Sequence, residues 1–364
     1  MLTEGRTSII ALLNGGTAGF IWMYLIAWAG FMCVNTSMAE MGSMFVPQTW
    51  TLQFCFLHAD PLPYRAPTSG GQYHWVSEFA PPQHQKFISF IIGWLCVLGW
   101  QTGAANTAFL AGTQIQGLIV LNYPNYVFQR WHGTLLTCAV ASFSVFFNTF
   151  LAKKLPLVEG IVLIIHVFGF FAVVVTLWIL GPRGDAAAVF TTFTNFGGWN
   201  SDATSALVGI LAVMIPLLGA DAAVHMSEEL KDASKQIPRT MIWTTFINGA
   251  LGLVLIITFC MTIGDVNSVI DTPTGQPYIQ VFFNATQSYA GATVLSALVI
   301  FMAMFCNLSI VATASRQLFA FARDQGAPFA SWLAYVRILP SSFSPNLVNT
   351  LTLHDYTPLS NQAN

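Results

Sequence analysis

Charge is what this sequence has least of. Of its 364 residues only 8% are Asp, Glu, Lys or Arg, against about 25% in a soluble domain, so the chain cannot cover a water-facing surface. A net charge of −2 without clustered Lys and Arg excludes the phosphate neutralisation that a nucleic-acid partner requires. Cysteine is also sparse. The six (Cys33, Cys55, Cys96, Cys138, Cys260, Cys306) are scattered, with no CxxC pair and no histidine at metal-site spacing, so they read as small buried hydrophobes rather than ligands. No GxSxG, HExxH, P-loop or paired-carboxylate pattern stands in a polar segment, and no enzyme, cofactor or metal site is expected. The opening MLTEGRTS lacks the basic and apolar regions of a secretory signal, so the first spanning helix must direct insertion.

What is abundant is apolar surface. Hydrophobic residues make up 55% of the chain, with 30 Phe and 11 Trp, and mean hydropathy is +0.62. This is the composition of a polytopic membrane protein whose solvent is the lipid bilayer. Runs long enough to cross, about 20 residues, cover 19–41, 87–121, 133–151, 157–180, 206–226, 241–263 and 290–321. An eighth run, 8–13, is too short to span by itself. Counting it as part of a crossing puts Arg6, Arg65, Lys86, Lys153, Lys154, Lys231, Lys235, Arg239, Arg316, Arg323 and Arg337 on one side, with only Arg130 and Arg183 opposite. Because Lys and Arg gather in cytoplasmic loops, this split predicts eight crossings with both ends in the cytoplasm. It also predicts an outside loop holding Asn284 of the sequon Asn284-Ala285-Thr286, where glycosylation is possible. Two segments fit neither helix nor loop pattern: 45–65, and the polar, Pro-containing tail 338–364, which is expected to be disordered.

The densest chemistry lies in 206–240. Pro216 removes a helix hydrogen bond and Gly219 loosens the backbone, so the helix is expected to break there. Interrupted helices mark the solute and ion sites of secondary transporters. Asp221 and His225 follow, four residues apart and so on one face. An ionisable residue within a span is costly and is first a functional candidate, yet Asp221 stands about 10 Å of helix rise from Glu228. A role toward a solute cation or proton and a structural hydrogen bond both remain open for it, and the structural role is the stronger reading for His225. Pro238 is placed to begin the next helix at its first turn. Glu228 and Glu229 can pair with Arg316 or Arg323 of another cytoplasmic segment, which would latch an inner gate. Gln101, beside Trp100 in a polar patch of the run 87–121, either lines a cavity or bonds a neighbouring helix. The small pair Gly15 and Gly19 suggests close packing.

Two stretches together, GADAAVHMSEELKDASKQIPRTM and SRQLFAFARDQGAPFASWLAYV, resemble the cytoplasmic ends of the sixth and eighth helices of the amino acid/polyamine/organocation (APC) transporters, most closely the fungal amino acid/choline/GABA permease branch. NGGTAGFIWMYLIAWAGF, SMAEMGSM and PTSGGQYHWVSEFAP look like that branch's first three helices. The resemblance covers 12–44 and 66–337. It implies an all-α, LeuT-like inverted-repeat fold, here incomplete with about 8 of 12 transmembrane helices, and a solute site built on the backbone of two interrupted helices. Carried onto this chain, that site comprises Ile215, Pro216, Leu217, Gly219, Ala220 and Asp221.

The departures from the family pattern set further expectations. Residues 1–337 read as one transmembrane permease domain; 45–65 reads as a non-family insertion and 338–364 as a non-family tail, both explicable as translated intron sequence. The start is expected to lack the first half of helix one, and family helices are expected beyond Arg337. The implied function is secondary transport of a small amino acid, GABA or a choline-like solute by alternating access, with H+ as a possible coupling ion, in the plasma membrane or an internal one. The truncated chain would be impaired. The competing expectation is a non-transporting isoform that regulates the intact permease or senses its solute.

Overall fold

The computed structural model describes residues 5–43 and 69–335, except 124 and 231. The expected insertion at 45–65 and the tail from 338 lie outside the described residues. Among those described, fourteen α-helices follow one another: α1 (Gly5–Leu13), α2 (Gly16–Ser43), α3 (Gln72–Phe79), α4 (Gln85–Asn122), α5 (Arg130–Phe150), α6 (Leu155–Leu180), α7 (Ala186–Thr191), α8 (Asp202–Met214), α9 (Ala222–His225), α10 (Ala233–Thr262), α11 (Val266–Ile270), α12 (Pro277–Thr286), α13 (Tyr289–Arg323) and α14 (Ala330–Leu333).

Seven segments of these residues are long and apolar enough to cross a membrane: α2, α4, α5, α6 with its preceding turn, α8 through α9, α10 and α13. The eighth run, 8–13, forms a helix of its own, α1, short of that length. At 9 residues, α1 rises about 14 Å, half of a hydrocarbon core of about 30 Å. It ends because Gly15 (φ +118) and Gly16 (φ +67) turn the chain, and the loop before α8 closes on that corner. Gly15 N donates to Thr194 O at 2.8 Å and Phe196 N to Leu13 O at 3.0 Å. A Cβ on Gly15 would lie 3.2 Å from Ala206 Cα, so the Gly15/Gly19 pair does serve close helix approach.

Helices pair in a repeating order. α1 packs on α8, α2 on α10, and α4 on α13, so three earlier elements meet three later ones in the same sequence. Each pair runs antiparallel. Tyr24, Trp28 and Asn35 of α2 reach Gly249, Thr245 and Thr245 of α10 in descending register, while Ala104 and Asn122 of α4 meet Asn307 and Thr293 of α13. Antiparallel pairing of corresponding elements is what inverted repeats produce.

Lipid tails are as apolar as leucine, so these contacts are held by small residues and interhelical hydrogen bonds rather than by hydrophobic burial. A Cβ on Gly249 would overlap the Trp28 ring, and one on Gly252 the Tyr24 hydroxyl. Asn307 joins three helices: its Nδ2 donates to Ala104 O at 2.7 Å and to Thr107 Oγ1 at 2.8 Å, and its Oδ1 accepts from Ser144 Oγ of α5 at 2.6 Å. The outer faces are left apolar, as at Phe168 and Ile179 of α6, each 72% exposed.

Two local expectations change. Pro238 does not open its helix. α10 starts at Ala233, and Pro238 sits inside it, near enough to the end that only one early carbonyl, that of Ser234, loses its partner. Asn284 is not in a loop but in α12, where its Oδ1 accepts from Gln280 Nε2 at 2.8 Å.

Candidate functional site

The break in the fifth long segment follows from Pro216. α8 ends at Met214, a single 3-10 turn covers Ile215–Leu217, and helix resumes only at Ala222. In place of the α-helical ladder stand short bonds: Leu218 N to Ile215 O at 3.2 Å, Ala222 N to Gly219 O at 3.1 Å and Val224 N to Asp221 O at 2.9 Å. Leu218 is extended (ψ 158) and Gly219 takes φ +97, a conformation that glycine adopts without strain. Leu217 is buried in the main core, whereas Leu218 and Gly219 are exposed and Ile215, Pro216, Ala220 and Asp221 are half-buried. Any solute contact with Leu217 therefore falls to its backbone.

Below the break, the segment from Ser69 to Tyr73 joins the inner half-helix to α4 and α13. Gln72 Nε2 donates to Asp221 Oδ2 at 2.5 Å. His225, 1% exposed, lies between Ser69 O (2.8 Å from Nδ1) and the indole Nε1 of Trp100 on α4 (3.0 Å from Nε2). A Cβ on Gly71 (φ +60) would sit 3.0 Å from His225 Cε1, so the loop can touch the imidazole only because it carries glycine there. Gln101, one residue beyond Trp100, is exposed and lies outside this cluster. An apolar cleft of about 420 Å³ opens on the other side of Gln72, walled by Met38, Trp75, Ile92 and Cys96 among others.

The expected acid–arginine pairs are formed. Arg323 grips Glu228 with both terminal nitrogens, Nη2 to Oε1 at 2.9 Å and Nη1 to Oε2 at 3.3 Å, and Arg316 Nε meets Glu229 Oε1 at 2.5 Å. Ser69 Oγ adds a 2.8 Å bond to Glu228, and Tyr73 OH donates to Asp324 at 2.9 Å. Burial acts to raise the Glu228 carboxyl, but hydrogen bonds from Arg323 and Ser69 and the Arg323 charge outweigh it and hold the group below the usual carboxylate range. Burial and the Asp324 charge push the Tyr73 phenol up.

Sequence reasoning named Asp221, His225 and the paired Glu228, Glu229, Arg316 and Arg323, and the structure brings them to one end of the bundle. It missed Ser69, Gln72, Tyr73 and Asp324. The available signal was TSGGQY, whose paired glycines mark a tight backbone approach. Among the described residues no group of His, Cys, Asp and Glu is arranged to hold a metal ion.

Seven helices able to cross a membrane, one of them interrupted above a cluster of acid–arginine pairs, are the architecture of a multi-pass membrane protein. The amino acid permease family model matches residues 63–351, and the chain belongs to that family. It is 33% identical, over 90% of its length, to a protein of Macrophomina phaseolina named as an amino acid/polyamine transporter, of which it spans 68%. It is 26% identical to the choline transporter of Saccharomyces cerevisiae over 89% of this chain and 54% of that protein. The GABA-specific permease of the same yeast is also 26% identical, over 91% of this chain and 55% of that protein. The chain thus spans only about half the length of the two yeast relatives. These relatives are named as transporters and permeases, not enzymes, and the chain is a multi-pass membrane protein.

Proposed function

We propose that this chain carries the translocation core of a secondary transporter for a small solute with a cationic nitrogen, an amino acid, GABA or a choline-like molecule, moved by alternating access. The observation that carries this reading is the helix break at Ile215–Leu217 and Gly219 directly above Asp221, on a span flanked by lipid-facing helices. Exposed backbone at membrane depth is tolerated only where it is sheltered by protein or lines an aqueous path. Ile215, Pro216, Leu217, Gly219 and Ala220 would present that backbone to the solute, and Asp221 would meet its positive charge. Glu228–Arg323 and Glu229–Arg316 would close the cytoplasmic side and open during the cycle. Half-exposed ion pairs suit that task, because each contributes little net stability.

Uptake of labelled choline, GABA and amino acids into proteoliposomes holding this chain tests the reading. Saturable uptake of at least one solute, slow beside that of an intact relative and weakened about tenfold or more by Asp221→Asn, is expected, since one lost charge contact is worth a decade or more. Uptake no greater than in empty vesicles overturns it, and altered uptake only beside an intact relative favours a regulator. Unchanged affinity in Asp221→Asn removes Asp221 from the site.

A further inference from the structure

We infer that His225 is a proton-binding site whose neutral form ties the inner half of the broken helix to α4 and whose protonation releases it. Donor and acceptor accounting fixes the ring. Ser69 O can only accept, so His225 Nδ1, 2.8 Å away, carries a hydrogen. The indole Nε1–H of Trp100 can only donate, so His225 Nε2, 3.0 Å away, must offer its lone pair. Both nitrogens are spoken for, and the neutral Nδ1–H tautomer is the one arrangement that satisfies both partners.

A proton arriving at Nε2 consumes that lone pair and converts the acceptor into a donor facing a donor. The Trp100 bond is lost while the Ser69 bond survives, and no other bond is made or broken. The ring has nowhere to turn. It is 1% exposed, Gly71 stands against its Cε1 edge, and the Trp100 ring meets it edge-on with centroids 5.5 Å apart. Relief therefore comes from moving α9 away from α4, the separation that an inner gate requires.

The surrounding charges single out one counter-ion. On its own element Asp221 precedes the ring by four residues, at the N-cap of α9. From α4 the titratable neighbour is Cys96, whose Sγ is turned to Gln72. From the loop and α3, Tyr73 is committed to Asp324. From α13, Arg316 and Arg323 are committed to Glu229 and Glu228, and from the start of α10, Asp232, Lys235 and Arg239 are exposed. Asp221 is thus the group placed to balance an imidazolium, at the edge of the helix break.

As a device for coupling, this rests on the transporter reading; as a proton site, it stands without it. The test is nitrogen NMR of histidine-labelled protein in lipid nanodiscs, with the His225 signals assigned by their absence in His225→Gln and confirmed by their displacement in Trp100→Phe. At pH 7.5 we expect protonated Nδ1 and unprotonated Nε2. At pH 5 both are expected to be protonated, with amide hydrogen exchange across 222–229 accelerated several-fold beyond the intrinsic pH effect. In Trp100→Phe, which keeps an aromatic ring and removes the donor, exchange should already be fast at pH 7.5. A ring that stays neutral down to pH 5, the opposite tautomer, or protonation with exchange unchanged overturns the proposal. Absence of uptake with the NMR result intact would instead overturn the transporter reading alone.

Discussion

At the scale of single residues, the inner end of the bundle depends on contacts that only particular side chains, or their absence, permit. Gly71 is the sharpest case. Its φ of +60 lies in the left-handed region, and a Cβ would crowd His225 Cε1 at 3.0 Å and Val224 Cγ1 at 3.3 Å. With φ +60 and ψ −126, a backbone that glycine takes without strain, Gly71→Ala should cost roughly 1–3 kcal/mol from conformation alone. The expected outcome is a lower unfolding midpoint in detergent together with loss of the single His225 tautomer. An unchanged midpoint would show that the loop is not held as described. His225 and Asp221 could be listed from sequence as ionisable residues near a membrane edge. Their partners could not, because Gln72 and Trp100 are 149 and 125 residues away, and no local rule pairs an amide with an acid across that distance.

At the scale of elements, what drives the helices together is close approach rather than burial. The α2–α10 pair shows this, with Trp28 lying over Gly249 and Tyr24 over Gly252, and with Tyr24 OH donating to Gly249 O at 3.0 Å. Gly249→Leu should displace α2 from α10 and break the Tyr24 and Trp28 bonds, each worth about 0.6 and at most about 1.7 kcal/mol. Reduced folded yield and a lower unfolding midpoint are expected, with Gly30→Leu as the control, since nothing lies within 4 Å of a Cβ there. Equal effects from both substitutions would refute this packing account. The long helices were legible because apolar runs of 20 residues have one reading in lipid. α3 and α12 were not. QYHWVSEF and PYIQVFFNAT are short, and packing decides their conformation: Tyr73 and Trp75 are buried in α3 and Tyr278, Ile279 and Phe282 in α12.

At the scale of the whole molecule, the Glu228–Arg323 pairing should respond to acid. Glu228 has a depressed pKa in the folded protein, so its contribution is present above the unfolded value of about 4.3 and is lost as pH falls through the folded value. Acid unfolding scans should show the wild type losing more stability than Glu228→Gln as pH drops below about 4, with the two differing little in slope at neutral pH. Parallel pH profiles would show that Glu228 is not held as a charged partner of Arg323.

The sequence alone determined the solvent, the seven long apolar runs, the helix break and the acids and arginines that pair below it. Each of these follows from a local physical cost: charge in lipid, a missing N–H at Pro216, a run too apolar for water. The position of α1 as a half-span, the antiparallel pairing of α1 with α8, α2 with α10 and α4 with α13, and the clasp of Ser69, Gln72 and Trp100 around Asp221 and His225 were decided only by tertiary structure. Such contacts join segments more than a hundred residues apart, and their energies come from shape and donor–acceptor matching, which composition and spacing do not encode.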